Sequence, residues 1–556
     1  MPIVNFVLEN KNIEVKKGTI IARAARKAGV MIETPCNGAG SCGKCRVKVS
    51  NILAVTALQS IKKISKEDIQ EGYVLACHTQ VNEDVDIYTQ YKSEQKECLK
   101  ILNHGTQKIV EINTYFQKNL REGKTYIYSK EGIAGCEEGD TTDLFYGLSI
   151  DIGTTTIVTA LIDCISGKEV YSVSGINPQC TYAQDVVSRI NFTSQNENGL
   201  EVLYKAVNDE INHMIKEITE HTEIVSKYIY EAVYSGNTTM VHLATNTDPY
   251  SLGQYPYIPK IKGGCYFTAK EIGLNISPFG IIYIPPIISA YVGSDITSGV
   301  LASGLKDQKG NTLFIDIGTN GEMIMASEGK LVATSTAAGP AFEGMNITFG
   351  MRAGTGAIEY FEITEDYDIL IKTIGESEPV GICGSGLFDI VGELVRVGII
   401  QKSGKFIKIE NCELPDKIKT RITKYDGRAA FLIGEGVYLT LLDIRQVQLA
   451  KSAIRAGIEA MIGMNDICLD DIDRVFIAGS FGYHLRAKSL SNIGIIPKDL
   501  ESKIEFVGNT SKTGGIAFLL NIDCREDMLK TVSETESLEL ADYPGFENLF
   551  ISSMSF

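Results

Sequence analysis

The 556-residue chain has no tryptophan and no run of 18 apolar residues. The first absence excludes nothing; the second leaves no expected membrane span. Lys and Arg never run longer than a pair, and the formal net charge is −16. Nucleic acid and anionic membrane both reward clustered positive charge, so neither is an expected partner. The opening residues M-P-I-V-N-F-V-L-E-N lack a basic n-region and an apolar h-region, so no secretory leader is expected. The six histidines form no H-x-x-H or H-E-x-x-H set, and no Gly-x-Ser-x-Gly occurs. Zinc-hydrolase and nucleophile-elbow chemistry therefore have no support. Nine of the thirteen cysteines are scattered singly, with no C-x-x-C among them. Without a leader, that pattern reads as reduced thiols in a cytoplasm.

What is present begins with length and apolar content. The length fits about three to four domains. An apolar content of 44% supplies more than one core. The remaining cysteines are grouped. Residues 35–46 read P-C-N-G-A-G-S-C-G-K-C-R, with Cys36, Cys42 and Cys45 at C-x5-C-x2-C spacing. Cys77 follows after 31 intervening residues. Gly38, Gly40 and Gly43 lie among the first three and let backbone N–H groups approach sulfides. A tight triplet plus one distant cysteine is the ligand pattern of a [2Fe–2S] cluster. A structural zinc site is the alternative, but such sites use paired ligands and Cys77 has no paired cysteine.

Around that loop, residues 3–8 and 12–16 read as a hairpin. Thr19 is placed to cap a helix closed by Gly29. C-R-V-K-V reads as a strand with alternating faces, and Ser65 opens a short helix with Asp68 three residues on. Residues 1–90 resemble a ferredoxin of the β-grasp type, and the five-residue gap after Cys36 is closest to the adrenodoxin-like subgroup. Residues 93–145 are polar and read as a linker with some structure of its own, which would let the cluster domain swing.

The chain then repeats itself. Residues 148–158 read L-S-I-D-I-G-T-T-T-I-V, and residues 313–325 read L-F-I-D-I-G-T-N-G-E-M-I-M. Asp151 and Asp316 are 165 positions apart, each at the end of an apolar strand before a Gly-centred turn. One such motif is compatible with a plain hairpin; two imply related halves. Backbone N–H groups of Gly/Thr turns cradle phosphate, and a carboxylate at the strand end holds Mg²⁺ directly or through water. Asp151 and Asp316 are therefore the Mg²⁺ candidates. Gly153, Thr154, Thr155, Gly318, Thr319 and Asn320 are the phosphate candidates. A third strand, D-R-V-F-I-A-G-S-F-G, ends in small residues that let a flat base approach, making Gly479, Ser480 and Gly482 the adenosine candidates. Together the three elements resemble the actin, sugar-kinase and Hsp70 superfamily over residues 146–540.

Other stretches stay open. G-I-C-G-S-G-L at 381–387 and G-N-T-S-K-T-G-G at 508–515 are either phosphate-receiving helix starts or turns. Lys451 lies on a long helix and either reaches the nucleotide or packs in the core. Asp185 and Arg189 are one helical turn apart, as in an ordinary ion pair.

The order of parts is similar to the reductive activators of corrinoid proteins. The matching stretches also include N-P-Q with D-V-V-S-R-I, S-G-N-T-T-M, A-Y-V-G-S-D-I and A-A-G-P-A-F-E-G. The resemblance implies a multidomain α/β and α+β chain. Residues 1–92 would be the [2Fe–2S] domain and 93–145 the linker. Residues 146–310 would be a middle domain forming the first actin-like (ribonuclease H-like) half, and 311–556 the C-terminal ATPase half. It implies that Cys36, Cys42, Cys45 and Cys77 bind the cluster and that ATP and Mg²⁺ are used. The implied activity is one-electron reduction of Co(II) to Co(I) in a corrinoid protein of a methyltransferase system. The electron would come from an external ferredoxin or flavodoxin. A cytoplasmic homodimer joined through the C-terminal domain is part of the same expectation. Two other classes are an ATP-driven donor to another low-potential enzyme, like the activators of 2-hydroxyacyl-CoA dehydratases, and a redox-sensing small-molecule kinase.

Overall fold

The computed structural model describes the whole chain except residues 33, 35–39, 41–42, 58–63, 65, 90–103, 412 and 480–484. Two compact units emerge. One contains Met1–Leu99 with Pro178–Phe192; the other contains Lys100–Asn177 with Thr193–Phe556.

In the first unit, Ile3–Phe6 pairs antiparallel with Lys11–Glu14, as the hairpin reading expects. Ile3–Phe6 also runs parallel to Val85–Tyr88, which pairs with Arg46–Val49, and Arg46–Val49 pairs with Tyr73–Leu75. Val47 and Val49 are buried while Lys48 is exposed, the expected alternation. The helix Ile21–Lys27 lays Ile21, Ala24 and Ala25 into a core with Val4, Phe6, Leu75, Val81 and Ile87. Thr19 is not its cap. Its hydroxyl donates to Lys16 O, and Thr19–Ile20 pairs instead with Thr79–Val81. Cross-strand pairing has taken the backbone that a local cap would have used. Ser65 lies outside the described residues, and the helix after it spans Lys66–Gln70.

The second unit shows why the two D-I-G-T motifs read as a repeat. In the first half, Tyr146–Ile152, Thr156–Asp163 and Glu169–Ile176 form an antiparallel meander, and Tyr146–Ile152 runs parallel to Ile229–Gly236. In the second, Asn311–Ile317, Gly321–Ser327 and Lys330–Thr336 form the same meander, and Asn311–Ile317 runs parallel to Ile472–Ala478. Both six-stranded sheets therefore place their Asp-bearing strand between one antiparallel and one parallel neighbour. That arrangement puts both Gly/Thr turns at the carboxyl ends of parallel strands, where open α/β sheets bind ligands.

The stretch 93–145, expected to be a linker with some structure of its own, carries a small sheet among its described residues. Gln117–Arg121, Lys124–Ser129 and Gly132–Glu138 form a three-stranded antiparallel sheet. Thr106 N donates to Val507 O and Asn113 N to Leu520 O, so residues 104–145 belong to the larger unit. Lys118, almost fully buried, donates to Glu137 and Tyr230. Polar composition hid this because most of the sheet's side chains face outward.

Segments distant in sequence are tied by a buried ion pair. Arg525, on the helix Asp523–Glu534, meets Glu231 of the first sheet at 2.7 Å, with its guanidinium 4.3 Å from the ring centre of Tyr283. Burial pushes Glu231 up to about 7 despite the cation. Breaking such a pair by removing one partner costs about 3–5 kcal/mol, because the other charge is left buried. No described helix is long and apolar enough to cross a membrane.

Candidate nucleotide and cluster sites

The cluster candidates lie in the first unit. Cys36 and Cys42 are outside the described residues. Cys45, at the head of the strand Arg46–Val49, and Cys77, in the turn Ala76–His78, are buried with their sulfurs 3.1 Å apart. Ala76 N donates to Cys45 O at 2.8 Å, which fixes the two segments against each other. Gly40 adopts φ +70°, and a Cβ there would lie 2.6 Å from the His78 imidazole. Two buried thiols brought together from separate elements, with Gly40 too close to His78 for a Cβ, fit a thiolate-bound cluster.

The nucleotide candidates lie wholly in the second unit. At the first turn, Gly153 N donates to Thr156 O at 2.9 Å. Asn177 braces this turn twice: its N–H donates to Thr155 O and its amide to Gly153 O, both at 2.9 Å. Asn237, which caps the helix Thr238–Ala244, donates its amide to Thr154 Oγ1 at 3.0 Å. At the second turn, Gly318 N donates to Asn320 O at 2.9 Å, and the Asn320 amide donates to Glu322 at 3.1 Å. One residue joins the turns: the Glu343 carboxylate accepts from Thr155 through Oε2 and from Thr319 through Oε1. The two halves thus present their turns to one another.

Asp151 is held by Asn509 and Ser511, at 2.9 and 2.7 Å. The 508–515 stretch is therefore neither a bare turn nor placed only by its backbone; its side chains orient the first aspartate. Burial raises the Asp151 carboxyl, and these two hydrogen bonds oppose the rise. Asp316 is pushed to about 7 by burial and then by the charge of Asp151. Asp295, at the start of the helix Ser294–Ser303, is raised by burial and by Asp316 and Asp151. Glu322 is raised by burial and by Asp295 and Asp316. Four acids thus lie in one another's field, and a divalent cation would relieve their repulsion. Among the described residues no three carboxylates converge to hold an ion directly. The arrangement fits Mg²⁺ held through water and phosphate oxygens.

Gly479 ends the strand Ile472–Ala478 with φ +107°, its N–H donating to Gly508 O at 3.2 Å. A Cβ there would be 2.7 Å from Ile317 O and 2.8 Å from Asp316 Oδ1. The third element therefore abuts the second turn. Ser480 and Gly482 lie outside the described residues. The 381–387 stretch is a packing feature, since a Cβ on Gly386 would sit 2.0 Å from Ile358 O. Lys451 does not reach the turns; buried, it donates to Ser555 O and lies over the Phe556 ring. Arg189 is buried and donates to Gln179 at 2.9 Å and Ala183 O at 3.1 Å.

Asn177, Asn237, Asp295, Glu343 and Asn509 were not individually visible in the sequence. Each lies within a stretch that carried the resemblance, N-P-Q, S-G-N-T-T-M, A-Y-V-G-S-D-I, A-A-G-P-A-F-E-G and G-N-T-S-K-T-G-G. That co-occurrence was the available signal.

Fold and sites together define an iron–sulfur domain followed by a nucleotide-binding core of two related halves. Residues 6–82 match the family described as the 2Fe-2S iron-sulfur cluster binding domain. Residues 146–308 match the RACo middle region, and 310–556 match the C-terminal domain of RACo, the ASKHA domain. A solved structure described as a reductive activator for corrinoid, iron-sulfur protein is 33% identical. It covers 100% of this chain and 98% of its own, with a TM-score of 0.73. The corrinoid activation enzyme RamQ of Eubacterium limosum is 28% identical over 100% of this chain and 99% of its own length. A [Co(II) methylated amine-specific corrinoid protein] reductase of Methanosarcina barkeri is 24% identical over 74% of this chain and 77% of its own. The chain belongs to the family of reductive activators for corrinoid proteins.

Proposed function

We propose that this chain reactivates a corrinoid protein by ATP-dependent transfer of one electron to Co(II), regenerating the Co(I) that accepts methyl groups. The supporting observation is the end-to-end similarity to a reductive activator, which spans the cysteine-bearing domain and both Gly/Thr turns alike. The reduced [2Fe–2S] cluster supplies one electron, and the corrinoid cobalt is the substrate that gains it. Cys36, Cys42, Cys45 and Cys77 hold the cluster. Thr154, Thr155, Gly153, Gly318, Thr319 and Asn320 hold phosphate, Asp151 and Asp316 position Mg²⁺, and Gly479, Ser480 and Gly482 face the adenosine. A low-potential donor such as ferredoxin or flavodoxin restores the electron, and the protein works in the cytoplasm as a homodimer.

ATP is needed because the step is uphill. Plant-type [2Fe–2S] centres lie near about −400 mV. Each further ~59 mV of shortfall costs a factor of ten for a single electron. A nucleotide that binds the electron-delivering conformation more tightly than the resting one supplies the difference. The test mixes dithionite-reduced protein with Co(II) corrinoid proteins, with and without MgATP. Co(I) absorption that grows only with MgATP supports the reading. Phosphorylation of a small acceptor without cobalt reduction would place the chain among kinases instead.

A further inference from the structure

The short helix Pro340–Glu343 fixes its last residue firmly. Phe342 is fully buried and stacks on Phe388 with ring centres 4.4 Å apart. Gly344 follows at φ +76°, where a Cβ would come within 2.7 Å of Met351 O. Between these anchors, Glu343 spans the Gly/Thr turns of both halves by accepting one hydroxyl hydrogen bond from each.

A threonine hydroxyl has one proton to give. While Thr155 and Thr319 give theirs to Glu343, neither donates to a phosphate oxygen. The Glu343 carboxylate is itself an anion, set between groups arranged to receive an anion. We propose that Glu343 is an internal stand-in for a nucleotide phosphate: it holds the two hydroxyls while the site is free, and phosphate binds by exchanging with it. The inference rests on the reading of Thr155 and Thr319 as phosphate ligands. Only hydrogen bonds are broken and made in the exchange. Glu343 then acts as a positioning residue. It joins the two turns in the free protein, sets nucleotide affinity below what the turns alone would give, and reports phosphate occupancy to both halves at once.

The experiment titrates MgATP calorimetrically into cluster-loaded full-length protein, wild type, Glu343→Ala and Glu343→Gln. Charge-assisted hydrogen bonds are the strong ones, so removing the competing carboxylate should tighten binding roughly tenfold in Glu343→Ala. Glu343→Gln, which keeps the shape and an accepting oxygen but loses the charge, should fall between. The nucleotide-free melting temperature should drop in both variants while the rise on adding MgATP grows. Unchanged or weaker MgATP binding in the variants overturns the proposal, since a purely structural or cation-holding glutamate gives that result. Should Glu343→Ala not fold, the direction of the Glu343→Gln change decides. Thr155→Val and Thr319→Val separate the two layers of the argument. If both leave MgATP affinity unchanged, the phosphate reading fails and takes the stand-in with it. If they weaken binding while the Glu343 variants do not tighten it, the stand-in alone fails.

Discussion

The side-chain amide of Asn509 donates to Asp151 Oδ2 at 2.9 Å, joining residues 358 positions apart. The same Asn509 accepts from Lys512 N at 2.9 Å to cap the helix Thr510–Leu520, and its own N–H donates to His104 O at 3.0 Å. One side chain therefore starts a helix and aims the first aspartate. The carboxylate is oriented before any ligand arrives, which spares the ligand that ordering cost.

Replacing Asn509 by Ala should show both roles. Loss of the cap costs about 1 kcal/mol, and a second loss comes from leaving Asp151 buried with one fewer donor. We expect a melting temperature lower by several degrees and MgATP binding several-fold weaker. The visible iron–sulfur spectrum should be unchanged, because the change lies outside the cluster unit. Thermal denaturation, calorimetry and absorbance check the three outcomes, and bleaching of the spectrum would contradict this assignment.

The cluster assignment predicts the opposite pattern. Cys77 lies buried with its sulfur 3.1 Å from that of Cys45. Cys77→Ser, or Cys42→Ala, should bleach or strongly alter the visible spectrum and abolish cobalt reduction. MgATP affinity should stay within about twofold of wild type, since the nucleotide candidates belong to the other unit. A retained wild-type spectrum in both variants would falsify the ligand set.

Acidity supplies a third prediction. Burial, and then the charge of Asp151, push the Asp316 carboxyl from its ordinary value of 3.8 up to about 7. A carboxyl with a raised folded value favours the fold most below its unfolded value and loses that contribution as pH rises through the folded one. The nucleotide-free protein should therefore lose stability from this group between about pH 4 and pH 7. Mg²⁺ and nucleotide favour the ionised form, so their stabilising effect should be larger at pH 8 than at pH 6, with proton release on binding near pH 7. Melting curves at both pH values, and calorimetry in buffers of different ionisation enthalpy, measure this. Asp316→Asn should flatten the dependence.

Much of the architecture could be read from residues because its signals are local. Apolar strands ending in D-I-G-T at 151–154 and 316–319 declare both the strand and the turn, and repetition declares the halves. The cysteine spacing is equally local. Glu343 could not be read this way, because nothing near it in sequence says that Thr155, 188 positions away, will be its partner. Asn177 and Asn237 are alike: each braces a turn from a separate element. Thr19 misled because a local capping rule met a stronger non-local pairing with Val81. For Lys451 the helix and its buried face were legible, while the partner, Ser555 O, depended on where the last residues of the chain pack.

Gly479 gives the sharpest test of the third element. Its φ of +107° is a conformation that side chains rarely adopt, and a Cβ would sit 2.7 Å from Ile317 O, a backbone atom with no rotamer to yield. Gly479→Ala must therefore shift the strand end Ile472–Ala478 away from Asn311–Ile317, or strain both. Since Asp316 Oδ1 lies 2.8 Å from the same point, the displacement reaches the second aspartate directly. Strain of this kind costs about 1–3 kcal/mol. We expect a destabilisation of that size, MgATP binding weakened at least tenfold, and an intact iron–sulfur spectrum. Gly479→Ala with wild-type MgATP affinity would remove this strand end from the nucleotide site, leaving the two Gly/Thr turns to bind without it.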